Sequence, residues 1–259
     1  MIPQLFHIPF PLFGDLKVNS FGLMVALALL AAIQLMSRSF ERNGINPALA
    51  DKYVLGAGLS GLFGARIWYI LEHYSDLKHD LLGALFSTAG FTFYGGFIFA
   101  ALVVIVMTKR DRISIGLMAD SFGPSLALGY AIGRLGCQLS GDGDYGIATE
   151  SLWGMSYATG VIPTPPGELA LPTPLYESSI CMGILYVLLK LEVHPKWQVP
   201  FKRFGAYLVL IAAERFVVEF WRINPKVLGT FSEAQVIAVL LVLVGGYLVF
   251  SRRQTTVTS

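Results

Sequence analysis

The stretch "GYAIGRLGCQLSGDGDYG", Gly129 to Gly146, ends an apolar run on an arginine, Arg134, and follows it with a glycine-rich loop carrying Asp142 and Asp144. A guanidinium inside a membrane span costs several kcal/mol, so it must face a partner or a wet cavity. Whether this run is a span therefore decides the fold. Of the 259 residues, 54% are hydrophobic and 14% charged, and the mean hydropathy of +0.62 lies well above that of a solvated domain. Apolar runs of about 17 to 21 residues, the length that crosses a bilayer core, fall near 20–37, 53–72, 91–108, 117–137, 176–191, 205–221 and 233–251. The expectation is an all-α integral membrane protein of seven transmembrane helices, with 1–259 forming a single polytopic membrane domain.

Lys and Arg choose the orientation, because cytoplasmic span ends are enriched in them. Arg38, Arg42, Lys52, Lys109, Arg110, Arg112, Lys190, Lys196, Lys202, Arg203, Arg252 and Arg253 fall on one side, and Lys17, Lys78, Arg222 and Lys226 on the other. This predicts an outside N-terminus and a cytoplasmic C-terminus. The opening residues, "MIPQLFHIPFPLFGDLKVNS", have no basic start and carry three prolines, so they read as an interfacial segment and not as a cleavable signal. The long polar insertion at about 142–173 reads as an extracytoplasmic arm. A net charge of +2 argues against a nucleic-acid partner. Cys137 and Cys181 have neither disulfide nor metal-ligand spacing, and "DGDYG" lacks the later ligands of a calcium loop, so no metal is expected.

Three basic residues, Arg66, Arg134 and Arg215, lie within spans, each in the outer half. Tyr94, Tyr176, Glu177, Glu219, Asp142 and Asp144 are expected at a similar depth. In "AAERFVVEFWR", Arg215, Glu219 and Arg222 are spaced i, i+4, i+7 along one helical face, so Glu219 can orient Arg215. Such residues could simply lock helices together as ion pairs. Three arginines at one depth also suit a phosphate, whose oxygens match guanidinium forks, and the phosphates of an outer leaflet belong to lipid headgroups. A transporter of such lipids would call for repeat symmetry, and none is visible.

The chain resembles the bacterial prolipoprotein diacylglyceryl transferase family over nearly its whole length. The likeness is carried by "SFGLM" at 20–24, "GLFGARIWY" at 61–69, "FTFYGG" at 91–96, "DSFGPSLALGYAIGRLGCQLSGDGDYG" at 120–146, "PTPLYES" at 172–178 and "ERFVVEFWR" at 214–222. The resemblance implies transfer of the diacylglyceryl group of phosphatidylglycerol to the lipobox cysteine thiol of a prolipoprotein signal peptide, at the outer leaflet of the bacterial inner membrane and without a cofactor. Alternatives are a diverged transferase with another acceptor and a non-catalytic phospholipid-binding protein. Arg134 and Arg215 match the family's two essential arginines, with Arg66, Glu177, Glu219, Gly146, Tyr176 and the Gly95–Gly96 pair as substrate-binding support. The chain departs from the family pattern at Tyr94, where a histidine is usual, at Phe21, where a tyrosine is usual, and at Cys137, where asparagine is common. With Tyr94 a poor base at neutral pH, Asp142 or Asp144 could serve instead.

Overall fold

The computed structural model describes residues 1–10, 14–87 and 90–251. Arg252 and Arg253, counted above among the cytoplasmic basic residues, lie outside them. Strands β1 (Gln4–Phe10) and β2 (Gly14–Asn19) lead into α1 (Ser20–Arg42). After a 3-10 turn at Pro47–Leu49 come α2 (Ala50–Glu72), α3 (Tyr74–Leu77), α4 (Leu81–Phe86), α5 (Phe93–Arg110) and α6 (Ile115–Ser140). A long loop joins α6 to α7 (Thr173–Glu192), which precedes α8 (Lys202–Val218). A 3-10 turn at Glu219–Trp221, strands β3 (Lys226–Leu228) and β4 (Phe231–Ser232), and α9 (Glu233–Phe250) complete the described chain.

Each of the seven apolar runs is helical, with ends within about five residues of those expected from sequence. Five of these helices, α1, α2 with its preceding turn, α5, α7 and α9, are long and apolar enough to cross a membrane. The chain is thus an all-α multi-pass membrane protein, apart from two short two-stranded ribbons. The other two long helices, α6 and α8, carry Arg134 and Arg215. Packing is inverted relative to a water-soluble domain: Leu59 and Phe97 are 68% and 64% exposed, whereas small and polar side chains such as Ala127, Ser121 and Thr108 are fully buried. That distribution suits a lipid surround, in which small residues let helices approach and polar groups pair inside.

The chain divides into two compact units. In the unit Ile33–Met118, α2 packs antiparallel to α5. Lys52 Nζ and Tyr53 Oη meet Asp111 at 2.8 and 2.9 Å at one end of the pair. At the other end, Glu72 accepts from Trp68 Nε1 at 2.9 Å and from Thr92 Oγ1 at 3.1 Å. Between these braces the two backbones come so close that a Cβ on Gly95 would lie 2.5 Å from the Gly64 carbonyl oxygen, and one on Gly96 would lie 3.1 Å from that of Gly61.

The second unit comprises residues 1–32 and the described residues from 119 onward. The N-terminal segment forms an antiparallel ribbon pairing Phe6 with Val18, a structure that Pro3, Pro9 and Pro11 hide in the sequence. The expected arm folds back on the end of α6: Tyr157 is fully buried and donates to Gln138 Oε1 at 2.8 Å. Asp120 has a different role from the one its position suggests. Near the start of α6, it reads as an anchor for its own helix, yet its Oδ1 accepts from Phe204 N at 2.7 Å and so caps α8. That helix has no side-chain cap of its own, because its N-cap residue is Phe201, whose ring has no acceptor atom. By contrast, α9 starts with a reciprocal cap between Ser232 and Gln235.

Candidate active site

Glu177 lies in the second turn of α7 with its side chain wholly buried. A lone carboxylate there would be very costly, and three guanidiniums compensate it. Arg134 Nε, from α6, lies 2.9 Å from Glu177 Oε2. Arg215 Nη1, from the last turn of α8, donates to Oε1 at 3.0 Å. Arg222 Nη1 lies 3.4 Å from Oε2. Tyr130 Oη adds a longer contact to Oε1 at 3.4 Å and accepts from Arg134 Nη2 at 3.0 Å.

A second carboxylate bridges two of the same arginines. Asp144, in the loop after α6, accepts from Arg134 Nη1 through one oxygen and from Arg222 Nη2 through the other. Burial works against its charge, but the two guanidiniums prevail and hold its carboxyl below the usual carboxylate range. Glu219, fully buried, takes Arg215 Nη2 at 3.0 Å, the i, i+4 pair expected from sequence, and accepts from Asn224 Nδ2 at 2.7 Å.

Arg222 is the site member whose part the sequence left unassigned, where it counts only as a flanking outside charge on the Arg215 face. The α-helix stops at Val218, the 3-10 turn tightens the chain, and Arg222 is extended at φ −89°, ψ 157°. Gly146 makes that exit possible. Its backbone bridges to Arg222, and a Cβ there would lie 2.5 Å from the Trp221 carbonyl oxygen. Arg222 is thereby turned toward Asp144 and Glu177. Glu214 is also new: it is 4% exposed, and neither carboxyl oxygen has a hydrogen-bond partner among the described residues.

The remaining expected residues fall as follows. Tyr176 is half-buried in the first turn of α7. Asp142 Oδ1 accepts from Asp144 N at 3.4 Å, and Asp142 lines a cavity of about 330 Å³ with Pro3, Gln4, Asn19, Phe21 and Ser140. Cys137 Sγ and the carboxylates of Asp142 and Asp144 lie within 4.8 Å of one another, a grouping open to a cation in principle. Arg134 and Arg222, already on Asp144, oppose one there. Arg66, Tyr94, Gly95 and Gly96 belong to the other unit. Arg66 is buried and donates to the carbonyls of Ala84 and Gly90, the latter at 2.6 Å. Tyr94 is 40% exposed beside Phe93, and the glycines sit at the α2–α5 crossing.

A multi-pass helical membrane protein with three arginines gathered on carboxylates holds a candidate functional site, since ionisable groups at such depth are seldom idle. The family model described as prolipoprotein diacylglyceryl transferase matches residues 7–251, and the chain belongs to that family. It is 28% identical to a phosphatidylglycerol–prolipoprotein diacylglyceryl transferase of Leptospira interrogans, over 89% of this chain and 88% of the relative. It is 29% identical to the enzyme numbered 2 from Clostridium perfringens, over 93% and 92%. With the Clostridium botulinum transferase the identity is 28% over 97% and 98%.

Proposed function

We propose that this chain, in the bacterial inner membrane, transfers the diacylglyceryl group of phosphatidylglycerol to the lipobox cysteine thiol of prolipoproteins. The observation that carries the reading is the convergence of Arg134, Arg215 and Arg222 on Glu177, with the Arg215 and Asp144 side chains still 25% and 33% exposed. The cluster is buried enough for strong electrostatics and open enough to be reached. In this reading seven helices span the bilayer, the N-terminus lies outside, and the site faces the outer leaflet. The whole chain acts as one polytopic domain.

Arg134 and Arg215 hold the lipid phosphate. The thiol sulfur attacks the glyceryl carbon that bears the phosphate ester. An S–C bond forms, the C–O bond breaks, and its electron pair goes to the phosphate oxygen, leaving glycerol phosphate. The arginines stabilise the charge that grows there. A free thiol has a pKa near about 8.5, and guanidiniums beside it favour the thiolate. The thiol proton leaves to solvent or to the carboxylate of Asp142 or Asp144. Glu177 and Glu219 orient the clamp, Gly146 seats Arg222, and Tyr176 flanks Glu177; in the other unit Tyr94 is assigned a substrate-positioning role through its hydroxyl, with Arg66, Gly95 and Gly96 as substrate-binding support. The test uses purified protein, phosphatidylglycerol and a lipobox peptide: a diacylglyceryl-modified cysteine with equimolar glycerol phosphate is expected. Lipid binding without peptide modification would point to another acceptor.

A further inference from the structure

Asp144 makes contacts of a kind that a phosphate also makes. Its two oxygens take one guanidinium nitrogen each from Arg134 and Arg222, the contact that two phosphate oxygens make with a pair of arginines. The charge count is informative. Arg134, Arg215 and Arg222 face Asp144, Glu177 and Glu219, three against three. Glu214 is left out of this count, because burial with no hydrogen-bond partner among the described residues disfavours its ionised form. The carboxylates that pair with the three arginines therefore balance them before any lipid arrives, and Asp142, whose carboxylate lies within 4.8 Å of that of Asp144, only adds to the negative side. A phosphodiester entering would add one more uncompensated negative charge inside a membrane protein.

We infer that the lipid phosphate enters by exchange: it takes the place of the Asp144 carboxylate on Arg134 and Arg222, and Asp144 swings off the cluster. The inference rests on reading the cluster as a phosphate site. Exchange keeps three positive charges against two carboxylates and one phosphodiester, so the balance is unchanged.

Of the three carboxylates, only Asp144 can leave. Glu177 is wholly buried and touches all three arginines, and Glu219 is wholly buried between Arg215 and Asn224. Asp144 is 33% exposed, and its backbone is fixed, since Thr173 Oγ1 donates to its carbonyl at 2.9 Å. Side-chain rotation alone removes the carboxylate while the loop stays in place. The freed carboxylate can then accept the thiol proton, so that a base appears only once the lipid is bound.

Two measurements test the exchange with glycerophosphoglycerol, the soluble deacylated headgroup diester. In the wild type, carbodiimide labelling of Asp144, read by peptide mass spectrometry, should rise several-fold when the diester is added. Calorimetry should show Asp144→Asn binding the diester about tenfold more tightly than wild type, about 1.4 kcal/mol, because no internal anion competes. Asp144 labelling that falls or stays constant while the diester binds overturns the exchange and leaves the phosphate site standing. Failure of the wild type to bind the diester overturns both. The labelling needs no variant, so misfolding of Asp144→Asn cannot mask the answer.

Discussion

At the scale of single residues, the site separates charge from geometry. A lysine keeps the charge of Arg134 or Arg215 but offers a point ammonium where a planar fork now reaches two partners. Arg134→Lys and Arg215→Lys should each lower diacylglyceryl transfer about a hundredfold, while Arg110→Lys, on an exposed helix end, should leave it unchanged in the same assay. Two of the buried glutamates, Glu177 and Glu214, should part company. Glu177→Gln strips three guanidiniums of a shared counter-ion, a loss on the order of 3–5 kcal/mol, whereas Glu214→Gln replaces one neutral group by another of the same shape. Thermal unfolding in detergent should show a large drop for the first and little change for the second. The sign of the pH effect follows from Asp144, whose folded carboxyl titrates below its unfolded value. Its contribution is complete above the unfolded value near about 3.9 and is lost as pH falls through the lower folded value. The stability gap between wild type and Asp144→Asn should therefore be constant from about pH 5 to 8 and close only below about pH 4. Much of this site could be read in the sequence, because an arginine in an apolar run must be explained. The bond between Arg222 and Asp144 could not, since 78 residues separate them and the link depends on the chain leaving the helix after Val218.

At the scale of elements, close crossings carry the packing. A Cβ on Gly245 of α9 would lie 2.6 Å from the Gly205 carbonyl oxygen of α8, with Val209 and Leu208 within 3.0 Å. Gly246, its neighbour, has nothing within 4 Å. Gly245→Val should cost about 1–3 kcal/mol and lower the midpoint of thermal unfolding, with Gly246→Val as a near-silent control. Helix positions were legible because apolar runs of bilayer length have few other uses. The cap of α8 was not: Asp120 lies 84 residues before its partner Phe204, and no local pattern announces a cap borrowed from another helix. The short helices α3 and α4, of four and six residues, are too brief to leave a period in the sequence.

At the scale of the whole molecule, the proposed seven-span arrangement would put the arm and the basic loops on opposite sides of the membrane. A cysteine at the fully exposed Leu152 of the arm should react with an impermeant maleimide in intact cells, and one at Arg110 only after permeabilisation; the reverse pattern would invert the topology. The pairing of Arg134 with Asp144 also has a consequence for biosynthesis. Asp144 follows Arg134 by ten residues, whereas Arg215 is made 38 residues after Glu177, and Arg222 a further seven after that. At about 5–20 residues per second, the ribosome supplies Arg134 with a counter-ion within about two seconds, long before α8 exists. On the seven-span reading, Arg134 would enter the bilayer already neutralised, with Asp144 serving the nascent chain as an escort until the later helices arrive.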